Sequence, residues 1–521
     1  MDAMDVIVIG AGHNGLAAAI LLARSGLSVC VVEDKPVTGG AARVEFPFQK
    51  APKVPAQTGA YLIGLVPPEL LTRLGVTLDT KPRPRQRILP TTQKGQLVSF
   101  GPDLSRTKQD IEQAFSTADA TAWEVMTREL SELRADIAPS WLAEPETIEA
   151  TAERRVRGAN RKAFIELCRG SVATYLGRFG WKSEHLMGLF ATDGIHGSSV
   201  DYDAPGSGMT FLVQHMGRLP GGEGSFVEIA GGVGAFTRQL VQAAEKAGVV
   251  VQTGKAVAQI LVTGNSVTGV LLTDGSELSA TTVLSGADPL RTRALVGADK
   301  LPAEYNKRLD ALTRDGATLK LNVALAGEPG WSCLPEGQVA GSATVSILPD
   351  GPDVMAALRT ARKQMAEGAL PDAPPIEWTT TTLPDGTGKD VLTASVMVHG
   401  VPYDLQGTTW AASEESFASK VLTLCEKYAP GLSARIVDVA ALHPKKLETH
   451  FGISRGHIQH VDNSFGFSDR APYRTPIGGL YACGAGCHPA GNVIGAAGHN
   501  AATRVLADME ASLETTEVQA L

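Results

Sequence analysis

The sequence predicts an α/β fold, in which a Rossmann-like nucleotide-binding domain is assembled from discontinuous segments and carries a mixed α+β cap domain. Three observations predict it. An apolar strand runs straight into Gly10-Ala11-Gly12-His13-Asn14-Gly15, which opens an apolar helix. A second glycine-rich segment, Gly479-Leu480-Tyr481-Ala482-Cys483-Gly484-Ala485-Gly486, stands near the other end of the chain. Between them the pattern shifts from helical spacing to short strands, so the chain leaves the first unit and returns to it.

The chain has 521 residues, more than one ordinary core organises. An apolar content of 43% fits a globular enzyme, and the net charge of -8 argues against a nucleic-acid partner, which needs a concentrated positive field. No apolar run reaches membrane-spanning length, since the best one, 16–32, is broken by Arg24, Ser25 and Gly26. The acidic opening Met1-Asp2-Ala3-Met4-Asp5 lacks the basic and apolar blocks of a signal peptide, so a cytoplasmic location is expected. Six scattered cysteines without a Cys-x-x-Cys pair are expected to be reduced thiols, which excludes a disulfide reductase reading.

In chain order, a strand over 5–9, a helix over 16–25 and a strand over 28–33 form the opening βαβ unit. The stretch 46–55 has no period and three prolines, and is expected to be a loop near the cofactor or substrate entrance. From 103 to 178 the spacing of Ile111, Phe115, Trp123, Met126, Leu130, Leu133 and Ile137 is helical, as in a cap. A helix over 235–247 and strands over 249–252, 256–263, 266–273 and 282–285 bring the chain back to the nucleotide domain. A second excursion holds strands over 318–326 and 391–399 and a helix over 414–428, with loops at 370–375 and 384–388. The expected division is therefore nucleotide-binding portions at 1–75, 221–297 and 443–521, and cap portions at 76–220 and 298–442.

Gly10, Gly12 and Gly15 form Gly-x-Gly-x-x-Gly between strand and helix, the context the fingerprint requires. Gly10 permits the tight turn, Gly12 lets a pyrophosphate approach the backbone, and Gly15 allows close helix packing. His13 and Asn14 sit at the helix start, where free N–H groups and the positive end of the helix dipole favour phosphate. Glu33, with Asp34 beside it, closes the second strand where a carboxylate accepts hydrogen bonds from ribose hydroxyls. Gly39-Gly40-Ala41-Ala42-Arg43 follows; its glycines suit backbone running beside a planar ligand, with Arg43 facing pyrophosphate or flavin. Together with the C-terminal glycines, these residues point to FAD.

Tyr473 to Tyr481, running into Cys483-Gly484-Ala485-Gly486-Cys487-His488-Pro489-Ala490-Gly491-Asn492-Val493-Ile494-Gly495, resembles the phytoene desaturase-related flavoproteins, as do the N-terminal fingerprint and the Gly39-Gly40 pair. The resemblance extends to the branch of pyridine nucleotide-disulfide oxidoreductase domain-containing protein 2. It implies an FAD-binding domain of glutathione reductase type, non-covalent FAD, and desaturation, oxidation or isomerisation of a polyene or other hydrophobic substrate. It further implies that Val257 meets the adenine through its backbone. Cys487 and His488 stand where many relatives carry an acidic residue, and Ala490 replaces a glycine common in carotenoid desaturases. Gly484 and Gly486 are expected beside the ribityl-phosphate part of FAD. Ile494, Gly495 and Ala496 lead into a last helix whose dipole would stabilise reduced flavin.

Gly231-Gly232-Val233-Gly234 reads as a helix-start turn, so no NAD(P)H domain is expected, and oxygen or a quinone would accept the electrons. His488 is a candidate base, or else only orders its loop; Asp193 and His196 are candidates from the cap, where Gly194 and Gly197 also suit a hinge. His450, His457 and His460 lack a matching carboxylate or thiolate set, and no metal is expected. The expected partner is a small hydrophobic organic substrate, with peripheral membrane contact and a homo-oligomer both compatible with the sequence. The alternatives are an amine oxidase, for which 5% aromatic content offers little cage, and an FAD-bound scaffold without turnover.

Overall fold

The computed structural model describes residues 3–91, 96–385 and 387–520, with backbone alone for 513–520. Strand Met4–Ile9 presents four consecutive apolar residues and so must be covered on both faces. It pairs in parallel with Val29–Val32 on one side and Glu277–Ser285 on the other. Val250–Gln252 and Leu480–Ala482 extend the two flanks, also in parallel. The parallel sheet thus gathers strands from the beginning, middle and end of the chain.

Alternation along these strands divides two cores. Val6, Val8, Val29 and Val31 pack with Leu16, Ile20, Phe236 and Leu240 of helices His13–Arg24 and Val233–Lys246. Ile7, Ile9, Cys30 and Val32 face the opposite core, shared with the hairpin of Val257–Thr263 and Ser266–Leu272. The last helix, Ala496–Ala520, lies against His13–Arg24. Their approach requires glycine: a Cβ on Gly498 would stand 1.9 Å from the Asn14 carbonyl oxygen.

A second sheet orders its seven strands as Ile436–Leu442, Thr318–Leu325, Asp390–His399, Ile376–Pro384, Thr344–Ile347, Arg87–Pro90 and Leu97–Phe100. All neighbours are antiparallel except Thr344–Ile347 with Arg87–Pro90. Sequence patterning identifies two of these strands, Thr318–Leu325 and Asp390–His399. The helical block follows its expected spacing: Ile111, Trp123, Met126, Leu130, Leu133 and Ile137 are buried in one core with Phe164 and Leu212. Loop 46–55 packs onto the second sheet, with Phe48 buried against Ala324 and the Lys50 N–H donating to Asp438 Oδ2 at 2.7 Å. Among the described residues, no helix is long and apolar enough to cross a membrane.

Candidate active site

One large cavity runs between the glycine turn and the second sheet. At its nucleotide end Gly10 has φ +94°, a left-handed conformation that glycine adopts freely. A Cβ at Gly15 would stand 2.2 Å from the Gly10 carbonyl oxygen, so the strand-to-helix turn closes only with glycine there. Gly12 is different: among the described residues nothing lies within 4 Å of where its Cβ would be, and the space opens into the cavity. It caps helix His13–Arg24 without a side-chain hydrogen bond, which leaves first-turn N–H groups for a ligand.

Glu33 accepts the Ala11 N–H at 2.8 Å through Oε2 and the Lys35 N–H at 3.0 Å through Oε1. Each carboxylate oxygen keeps a further lone pair for a hydroxyl donor. Burial raises the Glu33 carboxyl to about 7. Asp34, Ala41 and Val257 also line the cavity, as do His13 and Asn14. Burial, with His460 nearby, holds His13 neutral by lowering it to about 4.

Gly40 reaches the cavity wall, whereas Gly39 lies behind it and donates its N–H to the Ala11 carbonyl at 2.9 Å. Gly39 therefore fixes the loop to the fingerprint turn. Arg43 lies over the Phe451 ring, 5.0 Å from its centroid, and 3.0 Å from Glu45 Oε1. Its Nε is buried without a partner among the described residues.

The C-terminal motif is placed differently from expectation. Gly491, Asn492, Val493 and Ala485 line the cavity, but Gly484, Gly486, Ile494, Gly495 and Ala496 do not. A Cβ at Gly484 would meet the Gly286 carbonyl oxygen at 2.7 Å, and one at Gly486 the Pro289 ring at 2.9 Å. Packing alone thus demands glycine at both positions. His488 is likewise withdrawn: its Nε2 is 2.8 Å from the Ser140 carbonyl oxygen and its ring packs edge-on against Phe467. Its position supports the loop-ordering role and removes it from contact with a substrate in this cavity. Loop 46–55, expected at the entrance, contributes no lining residue.

At the cap end Asp193, the last residue of helix Glu184–Asp193, and His196 both reach the cavity. Arg87 holds Asp193 with two hydrogen bonds, at 2.9 and 3.1 Å, and donates to Glu377 Oε1 at 2.6 Å. Burial works against ionised carboxyls, but Arg87 and the neighbouring histidines outweigh it and hold Asp193 and Glu377 below their ordinary values. His215 Nε2 lies 3.2 Å from Asp193 Oδ2, and His399 Nε2 3.4 Å from Glu377 Oε2. Burial and the neighbouring His399 lower His196 to about 4, leaving it a neutral imidazole.

Lys320 completes the wall. Its Nζ donates to the carbonyls of Gln57 and Gly59 and lies 4.7 Å from the Tyr61 ring centroid. Burial lowers this amine well below the usual lysine value. Sequence reasoning missed Arg87, Lys320, Glu377 and His399. The available signal was strand Thr318–Leu325, where Lys320 and Asn322 alternate with buried Leu319, Leu321 and Val323.

Residues 5–103 match the model of the FAD dependent oxidoreductase family. Over 97% of its length the chain is 31% identical to mouse pyridine nucleotide-disulfide oxidoreductase domain-containing protein 2, covering 94% of that protein. The chain belongs to this family of FAD-dependent oxidoreductases. Another relative of this FAD-dependent oxidoreductase, a limonene dehydrogenase component of Castellaniella defragrans, is 23% identical over 98% of this chain and 96% of that one. The fold is similar to that of putrescine oxidase solved with putrescine, with a TM-score of 0.60, 16% identity, and coverage of 98% and 99% of the two chains.

The residues fit FAD. Clear space at Gly12, free N–H groups after it, open lone pairs on Glu33 and the unpartnered Arg43 Nε suit a pyrophosphate and its adjoining ribose. The six cysteines are all buried and free.

Proposed function

We propose that this FAD-dependent oxidoreductase dehydrogenates or desaturates a hydrophobic, isoprenoid-like substrate by hydride transfer to the flavin. The observation that carries the reading is the continuous cavity joining the dinucleotide turn to the buried histidine and carboxylate cluster. Leu62, Phe226, Met397 and Ile458 give its walls apolar surface suited to a hydrocarbon skeleton. The relative named as part of a limonene dehydrogenase supports that substrate class.

Bound FAD would supply a hydride acceptor. The glycine turn and Glu33 would hold its ADP half, and Arg43 would face its phosphates or ring. In the metal-free protein His196, a neutral imidazole on the wall, would accept the proton that leaves with the hydride. Asp193 is unsuited to that task because both its oxygens are engaged by Arg87; it positions Arg87 and His215 instead. Oxygen or a quinone would take up the electrons afterwards.

Amine oxidation is the second reading. It is favoured by Asp193 and Glu377, two carboxylates sharing one arginine beside the cavity, which suits a cationic substrate. The deciding experiment is anaerobic mixing of FAD-loaded protein with separate panels of terpenoids, other polyenes and amines, following the visible band of oxidised flavin. Bleaching by terpenoids or polyenes is the expected result; bleaching by amines alone would replace this reading with the second. Protein that retains no FAD after reconstitution would overturn both.

A further inference from the structure

The cap end of the cavity holds more nitrogen and oxygen donors than a proton acceptor requires. Glu377 and His399 sit on adjacent antiparallel strands, Ile376–Pro384 and Asp390–His399. Glu377 is paired with Met397, so His399, two residues further on, projects from the same face as a diagonal neighbour. His196 approaches from the turn after helix Glu184–Asp193, with its ring centroid 5.2 Å from that of His399. One nitrogen from each imidazole and one carboxylate oxygen of Glu377 all lie within 4.8 Å of one another.

We propose that His196, Glu377 and His399 form a binding site for one divalent transition-metal ion, with open coordination positions facing the cavity. Donors about 2.0–2.2 Å from a common ion stand roughly 3–4 Å apart, so small side-chain rotations close this set around an ion. The 3.4 Å separation of His399 Nε2 from Glu377 Oε2 already falls in that range.

A further observation orients the carboxylate. Arg87 donates to Glu377 Oε1 and is itself fixed by Asp193, leaving Oε2 turned toward the histidines. Such outer contacts orient a ligating carboxylate.

Two imidazoles and one carboxylate suit Fe²⁺, Co²⁺, Ni²⁺ or Zn²⁺ and disfavour Mg²⁺ and Ca²⁺, which take mostly oxygen ligands. His196 and Glu377 both line the cavity, so the remaining positions are accessible to an oxygen-bearing group of a substrate.

The test uses full-length, FAD-loaded protein purified without a histidine tag and stripped with chelator. Zn²⁺ and Co²⁺ are titrated separately by calorimetry, and the Zn²⁺ complex is examined by X-ray absorption. One equivalent should bind, millimolar Mg²⁺ should not compete, and the absorption spectrum should report two imidazole ligands. His399→Ala, Glu377→Gln and His196→Asn should each weaken binding at least about tenfold. His196→Asn alters a half-buried side chain outside the sheet and tests the site even where the strand variants lose FAD. Absence of saturable binding, or binding unchanged in His196→Asn, overturns the proposal. Because the readout is metal binding, the result stands apart from whether any substrate reduces the flavin.

Discussion

Glu33 accepts the Ala11 N–H at 2.8 Å, so the carboxylate expected to receive ribose hydroxyls also holds the fingerprint turn in shape. Glu33→Gln keeps the size but replaces one acceptor oxygen by an amide donor. That donor would face the Ala11 or Lys35 N–H, both now satisfied. The expected loss is about 1–3 kcal/mol of FAD binding, read by flavin fluorescence titration as roughly a ten- to hundredfold weaker Kd. Unchanged affinity would remove Glu33 from the adenosine site.

The same carboxyl has a pH signature. Its folded value, raised to about 7 by burial, lies above the ordinary 4.5, so the folded chain holds the proton more tightly than the unfolded chain. Its contribution to stability is therefore fully present below 4.5 and is lost as pH rises through 7. Thermal denaturation of flavin-free protein across that window should show Glu33→Gln losing less stability with rising pH than the parent. A steeper loss in the variant would reverse the assignment.

Gly15 and Gly498 predict steric failures of different kinds. A Cβ at Gly15 meets the Gly10 carbonyl oxygen, while one at Gly498 meets the Asn14 carbonyl oxygen on the neighbouring helix. Both obstacles are backbone and cannot rotate away. Gly498→Ala should lower stability by about 1–3 kcal/mol in denaturant titration, through separation of the two helices. Gly15→Ala should also weaken FAD binding, since it moves the turn itself. Gly12→Ala meets no described protein atom, so it should fold normally and lose affinity for FAD alone.

These contrasts show what was legible in the chain. The unbroken apolar run 6–9 and the glycines after it determine a local conformation, and the βαβ unit follows from neighbouring residues. The meeting of Arg87 with Glu377 at the cavity's cap end follows from no local pattern. Arg87 and Glu377 lie 290 residues apart and meet through pairing in the second sheet. Gly484 and Gly486 are ambiguous for the opposite reason: a glycine required by packing, against the Gly286 carbonyl or the Pro289 ring, has the same sequence signature as one that admits a ligand.

Lys320 is a buried amine that donates to two main-chain carbonyls, those of Gln57 and Gly59, and a neutral amine has two N–H groups to satisfy them. Burial lowers its folded value, so the folded state disfavours the charged form and stability rises as pH climbs toward the ordinary 10.5. Chemical denaturation between about pH 7 and 10 should show this rise in the parent and its loss in Lys320→Met. An identical slope in both would place the pH dependence elsewhere.

Arg87 carries the most severe prediction because it compensates two carboxylates at once, Asp193 and Glu377, whose side chains are each 10% exposed. Arg87→Met would leave both in a poorly solvated site, at an expected cost of about 3–5 kcal/mol at neutral pH. In the parent these carboxyls lie below their ordinary 3.8 and 4.5, so their stabilisation is complete above those values and lost as pH falls below them. Without Arg87, burial dominates and raises both carboxyls, so the sign inverts and acidification from about pH 7 to 5 should recover stability. Thermal melts of parent and variant across that interval distinguish the cases. A variant that gains no stability on acidification across that interval would show that the histidines, and not Arg87, keep Asp193 and Glu377 ionised.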